Sequence, residues 1–241
     1  FMGRSTGYCK GKGGSMHISD LDLGMLGANG IVGAGVPHAV GAAFANKYRK
    51  NNLVTMAFFG DGSTNIGAFH EAANMACALH LPVIFMCENN EYAEYTARER
   101  VMAITDVADR AVAYGMPGVI VDGMDVVAVY EAAKAAVERA RNGDGPSMIE
   151  CKTYRFYNHA GVSAFGTPYR TDEEVKEWME RDPIKLFEAQ LELAKVLSTE
   201  EAQAVHDEIQ AEVEEDIEYA EASPMPDPAT DMLTDVYTEA S

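Results

Sequence analysis

An acidic residue between two glycines stands directly after an apolar segment of the chain. Gly60-Asp61-Gly62 follows the run 53–59, which is almost continuously apolar and is typical of a strand buried in a parallel sheet. A carboxylate is thereby predicted at the carboxyl edge of the sheet. The flanking glycines let a bulky anion approach the backbone, and the start of the next helix offers free N–H groups to a phosphate.

A second polar pair follows the next apolar segment. Glu88-Asn89-Asn90 comes directly after the run 83–87, one helical crossover beyond Asp61, so the two strand ends are expected side by side. Mg²⁺ prefers hard oxygen ligands, and Asp61 can supply a carboxylate, Asn90 an amide oxygen and a nearby backbone carbonyl a third. Either motif alone is more often an ordinary turn. Their conjunction at one sheet edge favours a metal and phosphate site.

Apolar and helical segments alternate along the chain and position both motifs. Short apolar runs separated by segments of helical periodicity predict a doubly wound parallel sheet with helices on both faces, an α/β fold. The predicted strands are 53–59, 83–87, 119–121 and 147–154, and the predicted helices are 37–48, 66–80, 107–114 and 126–140.

Charge divides the chain into segments. Residues 171–241 hold 22 acidic and four basic side chains, whereas residues 1–170 are nearly neutral. We expect an α/β domain over 1–170, a solvated, acidic helical appendage over 171–223 with capping motifs at Thr171 and Ser198, and an extended or mobile tail over 224–241. A field of this sign repels nucleic acid, so no nucleic-acid partner is expected.

Neither a membrane span nor an export signal is indicated. No run of eighteen apolar residues occurs, and the first residues lack the apolar stretch of a signal peptide, so the sequence favours a cytoplasmic protein without a membrane partner. Cys77, Cys87 and Cys151 lie in apolar segments without CxxC spacing, which is typical of buried, reduced thiols.

The combined motifs resemble a known family. Gly60-Asp61-Gly62, 26 intervening residues and Asn89-Asn90 resemble the signature of enzymes that depend on thiamine diphosphate. The segments 12–17 and 29–33 narrow the resemblance to the α subunit of the dehydrogenase component of 2-oxo acid and acetoin dehydrogenase complexes. It extends from residue 1 to about 220 and is closest to the acetoin type, and it implies the thiamine-diphosphate-binding fold.

The resemblance implies a role for individual residues. It makes Asp61, Asn90 and the backbone carbonyl of Tyr92 ligands of Mg²⁺. It assigns contacts with thiamine diphosphate to Gly30 and Val32 at the aminopyrimidine ring, to Gly62 and Ser63 at the diphosphate, and to His159, the one catalytic candidate, on a loop that reaches the diphosphate end. His17 is a further candidate near the active-site channel. Taken alone, His159 would more often be a surface loop histidine, and His17 reads equally well as a structural loop residue.

The resemblance also implies the reaction and the partners. A carbon–carbon bond next to a carbonyl is cleaved through the cofactor, and the acyl fragment passes from a small oxo substrate to lipoamide on a lipoyl-bearing acyltransferase. The glutamate that activates the cofactor belongs to a β subunit, so an α2β2 heterotetramer is expected and this chain alone should be inactive. Relatives also carry an upstream segment, which the domain over 1–170 is expected to lack.

Several alternatives remain open. Within the family, acetoin is the favoured substrate, and pyruvate and branched-chain 2-oxo acids are the alternatives. A transketolase-like half and a non-catalytic cofactor-binding subunit are further readings. A nicotinamide site is disfavoured because no GxGxxG motif follows a strand.

Overall fold

A parallel β-sheet carries the candidate site. The structure is a computed structural model that describes residues 1–161 and 166–235. Its strands are β1 (Thr55–Gly60), β2 (Val83–Asn89), β3 (Tyr92–Ala93), β4 (Thr96–Ala97), β5 (Gly118–Asp122) and β6 (Ser147–Lys152). Four of them form a parallel sheet in the order β1-β2-β6-β5, while β3 and β4 form a short antiparallel pair.

Helices connect the strands and continue beyond the last one. Over the described ranges the α-helices are α1 (Gly35–Arg49), α2 (Gly67–Ala78), α3 (Val126–Arg141), α4 (Asp172–Met179), α5 (Pro183–Leu193), α6 (Thr199–Ala222) and α7 (Pro228–Asp231). The predicted helix at 107–114 is a 3-10 helix with the same bounds. Thr171 caps α4 and Ser198 caps α6 with a complete capping box, which confirms both predicted starts.

Both faces of the central strands are buried. In β2, Val83, Phe85 and Cys87 belong to one apolar cluster, which includes residues of α1 and α2, whereas Ile84 and Met86 belong to a second cluster with residues of α3. Successive side chains of a strand point to opposite faces, so helices cover both sides of β2. The prediction of a doubly wound α/β fold is confirmed.

Strand β1 departs from the prediction that it is buried on both faces. Ala57 and Phe59 lie in the core, but Phe58, on the other face, is 63% exposed. β1 is an edge strand of the described sheet, and α3 contacts β2, β5 and β6. An apolar run alone does not reveal this difference because central and edge strands can have the same composition.

The chain divides into two compact units. One contains residues 32–196 with the whole sheet, and the other contains residues 1–31 and 197–241. The boundaries expected at 170 and 223 follow charge and remain predictions. The tail beyond Ser223 is not wholly extended, because α7 forms there with Asp227 as its cap; residues 236–241 lie outside the described part of the chain.

The thiols agree with the expectation of buried, reduced cysteines, except that Cys77 is only half-buried. Cys87 and Cys151 are buried and Cys77 is half-buried, and all are free. Burial raises the pKa of the Cys151 thiol to about 11. Among the described residues, none of the helices has the length and apolar character that crossing a membrane requires.

Candidate functional site

The two polar motifs meet at one edge of the sheet. β1 and β2 pair in parallel with Gly60 opposite Glu88, so Asp61 and Asn89 each lie at the carboxyl end of adjacent strands. β6 pairs with β2 on its other side, with Lys152 opposite Asn89. The predicted juxtaposition of the strand ends is therefore present.

Asp61 is a buried carboxylate without a partner. It is 1% exposed, and neither carboxylate oxygen has a hydrogen-bond partner among the described residues. Burial raises the pKa of Asp61, and the charge of Glu91 raises it further, while the charges of Arg98 and Arg155 lower it in part. A buried charge of this kind is costly unless a cation or donor satisfies it.

A tight turn follows Asp61 and brings the backbone close to the neighbouring loop. Residues 61–65 form a 3-10 helix, in which Ser63 is buried and the Thr64 hydroxyl donates to the Asp61 carbonyl over 2.8 Å. A Cβ atom on Gly62 would lie 2.6 Å from the Cβ of Ala93. Only glycine fits at this position without displacing the β3 strand.

The two asparagines have different environments. Asn89 is fully buried, and its amide donates to Glu150 over 2.6 Å while its side-chain oxygen accepts from the Glu91 N–H. Asn90 is half-buried, and its side-chain oxygen accepts only the Tyr92 N–H, at 3.1 Å, in the described contacts. A carbonyl oxygen has two lone pairs, so Asn90 retains capacity for a further ligand.

Glu150 supports this turn and was not singled out from the sequence. It is fully buried in β6, accepts the Asn89 amide and the Ala108 N–H (2.7 Å), and forms an ion pair with Lys152 at 2.7 Å. Burial lowers the pKa of Lys152, but hydrogen bonds to Asp106 and Glu150 outweigh burial and raise it overall. A charged residue inside an apolar strand was the available signal.

Tyr92 is anchored by its side chain. Its hydroxyl donates to the Glu174 carboxylate at 2.8 Å, and so does the Tyr154 hydroxyl. Burial is the main cause that raises the pKa of Tyr92, and the hydrogen bond to Glu174 raises it further. The backbone carbonyl predicted as a ligand therefore belongs to a residue held by α4. This helix was expected to be solvated with the rest of the acidic segment, but Val175 is fully buried.

Cationic side chains lie beside this edge, and Arg155 was missed. Arg155 follows β6, donates to the Glu94 carbonyl at 2.8 Å, and contacts His159, with 3.3 Å between Nη1 and Nδ1. His159 is exposed and its ring centroid is 6.2 Å from that of Tyr95. The position of Arg155, just beyond the predicted strand 147–154, could have identified it. Its charge lowers the pKa of Asp61.

The glycine-rich loop contains the residues predicted to meet the aminopyrimidine. Gly30 belongs to the unit that contains residues 1–31, where a Cβ on it would lie 3.5 Å from the His17 imidazole. Val32 begins the other unit and is 64% exposed. Gly33 has a φ of +75°, and a Cβ there would lie 2.2 Å from Ile66. Contacts of Gly30 and Val32 with the cofactor remain predictions.

The donor set at the strand ends suits a hard cation with phosphate ligands. No group of three or more His, Cys, Asp or Glu side chains that could hold a metal occurs in the described ranges. Mg²⁺ does not need such a cluster, because one or two protein oxygens plus phosphates and water complete its octahedron. The orphaned Asp61 oxygens fit such an ion.

Comparison with known proteins decides the family. The family model described as "Dehydrogenase E1 component" matches residues 1–229. The chain belongs to the dehydrogenase E1 component family. This E1 chain is 49% identical to the α subunit of acetoin:2,6-dichlorophenolindophenol oxidoreductase from Bacillus subtilis, over 98% of the chain and 70% of that protein.

Two further relatives belong to the acetoin and pyruvate types. The Cupriavidus necator protein of the same name is 47% identical over 98% of the E1 chain and 70% of its own length. The chloroplastic pyruvate dehydrogenase E1 component subunit alpha-3 of Oryza sativa is 41% identical over 99% of the chain and 57% of that protein. A solved Pichia stipitis transketolase covers 58% of the chain at 24% identity, with a TM-score of 0.43. Membership of the family implies thiamine diphosphate as the cofactor.

Proposed function

We propose that this chain is the α subunit of a thiamine-diphosphate-dependent dehydrogenase that cleaves acetoin and transfers the acyl group to lipoamide. The observation that carries the proposal is the buried Asp61 carboxylate, which lies beside the Asn89-Asn90 turn and has no hydrogen-bond partner in the part of the chain that the structure describes. The choice of acetoin is supported by the relatives at 49% and 47% identity, which are named for that substrate. Pyruvate is the alternative because relatives named for it follow at 41–43% identity.

We infer that Mg²⁺ is held by Asp61, Asn90 and the backbone carbonyl of Tyr92. Burial removes the Asp61 carboxylate from water and thereby raises its pKa. A divalent cation would compensate this buried negative charge. Asn90 adds a neutral oxygen on a turn that Glu150 stiffens through Asn89. The Tyr92 side chain, bound to Glu174, restrains the residue whose carbonyl would be the third ligand.

The diphosphate would lie against Gly62 and Ser63, with cationic groups opposite. Gly62 carries no side chain that would keep an anion away from the backbone of the turn. Arg155 lies near enough to Asp61 to lower its pKa and contacts His159. The contact between Arg155 and His159 supports a position of both side chains near the diphosphate.

The proposed positions indicate which steps depend on the cofactor, on this chain and on its partners. When bound, the cofactor supplies a carbon nucleophile and an electron sink for cleavage of the bond next to the carbonyl. The residues of this chain bind and orient the cofactor and neutralise its diphosphate. A β subunit completes the reactive end, and a lipoyl-bearing acyltransferase accepts the acyl group. The pair is proposed as an α2β2 heterotetramer.

Co-expression with a β subunit tests the proposal. We expect acetoin-dependent reduction of 2,6-dichlorophenolindophenol, and acyl transfer to lipoamide, only with both chains, thiamine diphosphate and Mg²⁺ present. Asp61→Asn should abolish the activity, whereas Asp109→Asn, at an exposed carboxylate, should retain it. Preference for pyruvate or a branched 2-oxo acid would move the assignment within the family.

A non-catalytic, cofactor-binding subunit is the second candidate. Both candidates bind the cofactor, and only the first catalyses a reaction. Calorimetry with thiamine diphosphate and Mg²⁺ is therefore run on the same two-chain preparation as the activity assay. Binding without turnover of any candidate substrate would favour the second candidate. Absence of binding would reject both.

A further inference from the structure

The long helix α6 is exposed along most of its length. It spans 24 residues, and every residue from 203 to 219 is exposed, although Ala202 and Ser223 at its two ends are buried. Helices in globular proteins gain most of their stability by packing an apolar face against a neighbour. The middle of α6 lacks such a neighbour in the described parts of the chain.

One face of α6 is nevertheless apolar. Val205, Ile209, Val213 and Ile217 follow each other at four-residue steps, and we call them the α6 stripe. They are 54%, 53%, 47% and 46% exposed, respectively. Side chains four apart lie on the same helix face. Branched residues are weaker helix formers than alanine, glutamate or lysine, so their use here stabilises α6 only if the α6 stripe is covered.

A row of carboxylates runs beside the α6 stripe. Glu208, Glu212 and Asp216 each lie three residues beyond a member of the α6 stripe, and we call them the acidic row. They also lie four residues from one another, a spacing at which like charges destabilise a helix. The acidic row therefore destabilises α6 when no neighbour is present. A cationic neighbour would make the same carboxylates stabilising.

The charge of α6 discriminates between possible neighbours. The helix contains ten acidic residues and no lysine or arginine. A second copy of α6 would place carboxylates against carboxylates, which opposes pairing. A neighbour with an apolar ridge flanked by lysine or arginine satisfies both the α6 stripe and the acidic row.

We propose that α6 is a docking surface for a cationic amphipathic helix. Apolar side chains of that helix pack on the α6 stripe, and its basic side chains pair with the acidic row, as flanking charges do in coiled coils. None of the α6 residues is among those of the proposed cofactor site, so the inference does not depend on the proposed function.

Two synthetic peptides and the full chain test the proposal. One helical peptide carries leucine at four-residue steps with lysine at the flanking positions, and the other replaces each lysine by glutamate. Fluorescence anisotropy should show that the lysine peptide binds at least roughly tenfold more tightly at low salt, with the difference reduced at high salt because screening weakens exposed pairs.

Variants of α6 distinguish docking on the α6 stripe from non-specific attraction between the acidic chain and a cationic peptide. Ile209→Ser with Val213→Ser should weaken binding of the lysine peptide by roughly tenfold or more, since each substitution removes apolar contact area. Glu214→Gln with Glu218→Gln, on the opposite face, is the matched control and should change it less than about twofold. Replacing all three residues of the acidic row by lysine should reverse the preference between the peptides.

Three results would overturn the proposal. The first is equal binding of the two peptides by the unaltered chain. The second is an equal loss of binding in the opposite-face control, which would mean attraction by net charge alone. The third is a dimer, seen by sedimentation, that Ile209→Ser with Val213→Ser dissociates, because the α6 stripe would then pair with a second copy. Circular dichroism of each variant verifies that α6 remains helical.

Discussion

Replacing Asp61 with asparagine should stabilise the chain without ligands. The carboxylate is 1% exposed and unpartnered among the described residues, so the fold bears the cost of a buried charge. An unsatisfied buried polar group costs about 1–3 kcal/mol, and more when charged. The asparagine amide is also a buried polar group, so the variant recovers only the excess cost of the charge, about 1 kcal/mol. For a chain of this size, Asp61→Asn should therefore raise the melting temperature by roughly 2–4 °C.

Cofactor and metal should reverse this order. Ligands at about 100 times their Kd stabilise the native state by about 2.7 kcal/mol, or roughly 5–11 °C for this chain. The unaltered chain should gain this increment with thiamine diphosphate and Mg²⁺ together. Asp61→Asn should gain little, because the carboxylate that balances the cation is gone.

The advantage of Asp61→Asn should grow as pH rises. Burial raises the pKa of Asp61 in the fold, so its contribution is fully present below the pKa of the unfolded carboxyl, about 3.9, and is lost as pH rises through the higher folded pKa. The two chains should therefore differ least in acid and most once Asp61 is ionised in the fold.

Differential scanning fluorimetry over a pH series, with and without ligands, measures all three effects. Asp109→Asn removes an exposed carboxylate and is the control, expected to match the unaltered chain. A lower melting temperature for unliganded Asp61→Asn at neutral pH would refute the reasoning, because Asp61 would then have a stabilising partner. Equal ligand-induced shifts in both chains would refute its role at the metal.

Two further predictions concern the support of the site. Gly62→Ala should lower the melting temperature and weaken cofactor binding measured by calorimetry, because the new Cβ would lie 2.6 Å from the Cβ of Ala93. Gly60→Ala is the control and should lower the melting temperature far less, because no atom beyond its chain neighbours lies within 4 Å of its Cβ. Equal decreases in melting temperature for the two variants would contradict the packing argument. Glu150→Gln should destabilise the chain by about 1–3 kcal/mol in urea unfolding, because the Asn89 amide and Lys152 lose a charged acceptor. A neutral result would remove Glu150 from the support of the turn.

Local signals in the sequence were sufficient for the architecture. Alternating apolar and helical segments predicted the sheet, and strand, turn, helix and strand in succession placed Asp61 and Asn89 at adjacent strand ends. This inference works because a right-handed crossover usually returns the chain beside the strand it left. The caps at Thr171 and Ser198 were equally local and equally predictable.

Residues whose role depends on distant neighbours were not predictable in the same way. Glu150 is 61 positions from Asn89, and Glu174 is 82 positions from Tyr92, yet each pair is within hydrogen-bond distance. Arg155 required the third strand end to lie at the same edge as the first two. Phe58 was expected to be buried, because the pattern of a strand does not state whether it lies at a sheet edge.

The sequence by itself thus determined the type of fold, the edge at which the polar motifs meet and the family to which they belong. It could do so because strand period, turn chemistry and capping depend on residues within one or two turns of each other. Only the tertiary structure decided three further properties, each within residues 1–161 and 166–235. The Asp61 carboxylate has no hydrogen-bond partner there, and the apolar face of α6 is not covered. The Asn89 amide binds Glu150, whereas the Asn90 side-chain oxygen keeps a free lone pair. These properties depend on which distant groups come into contact, and on which do not.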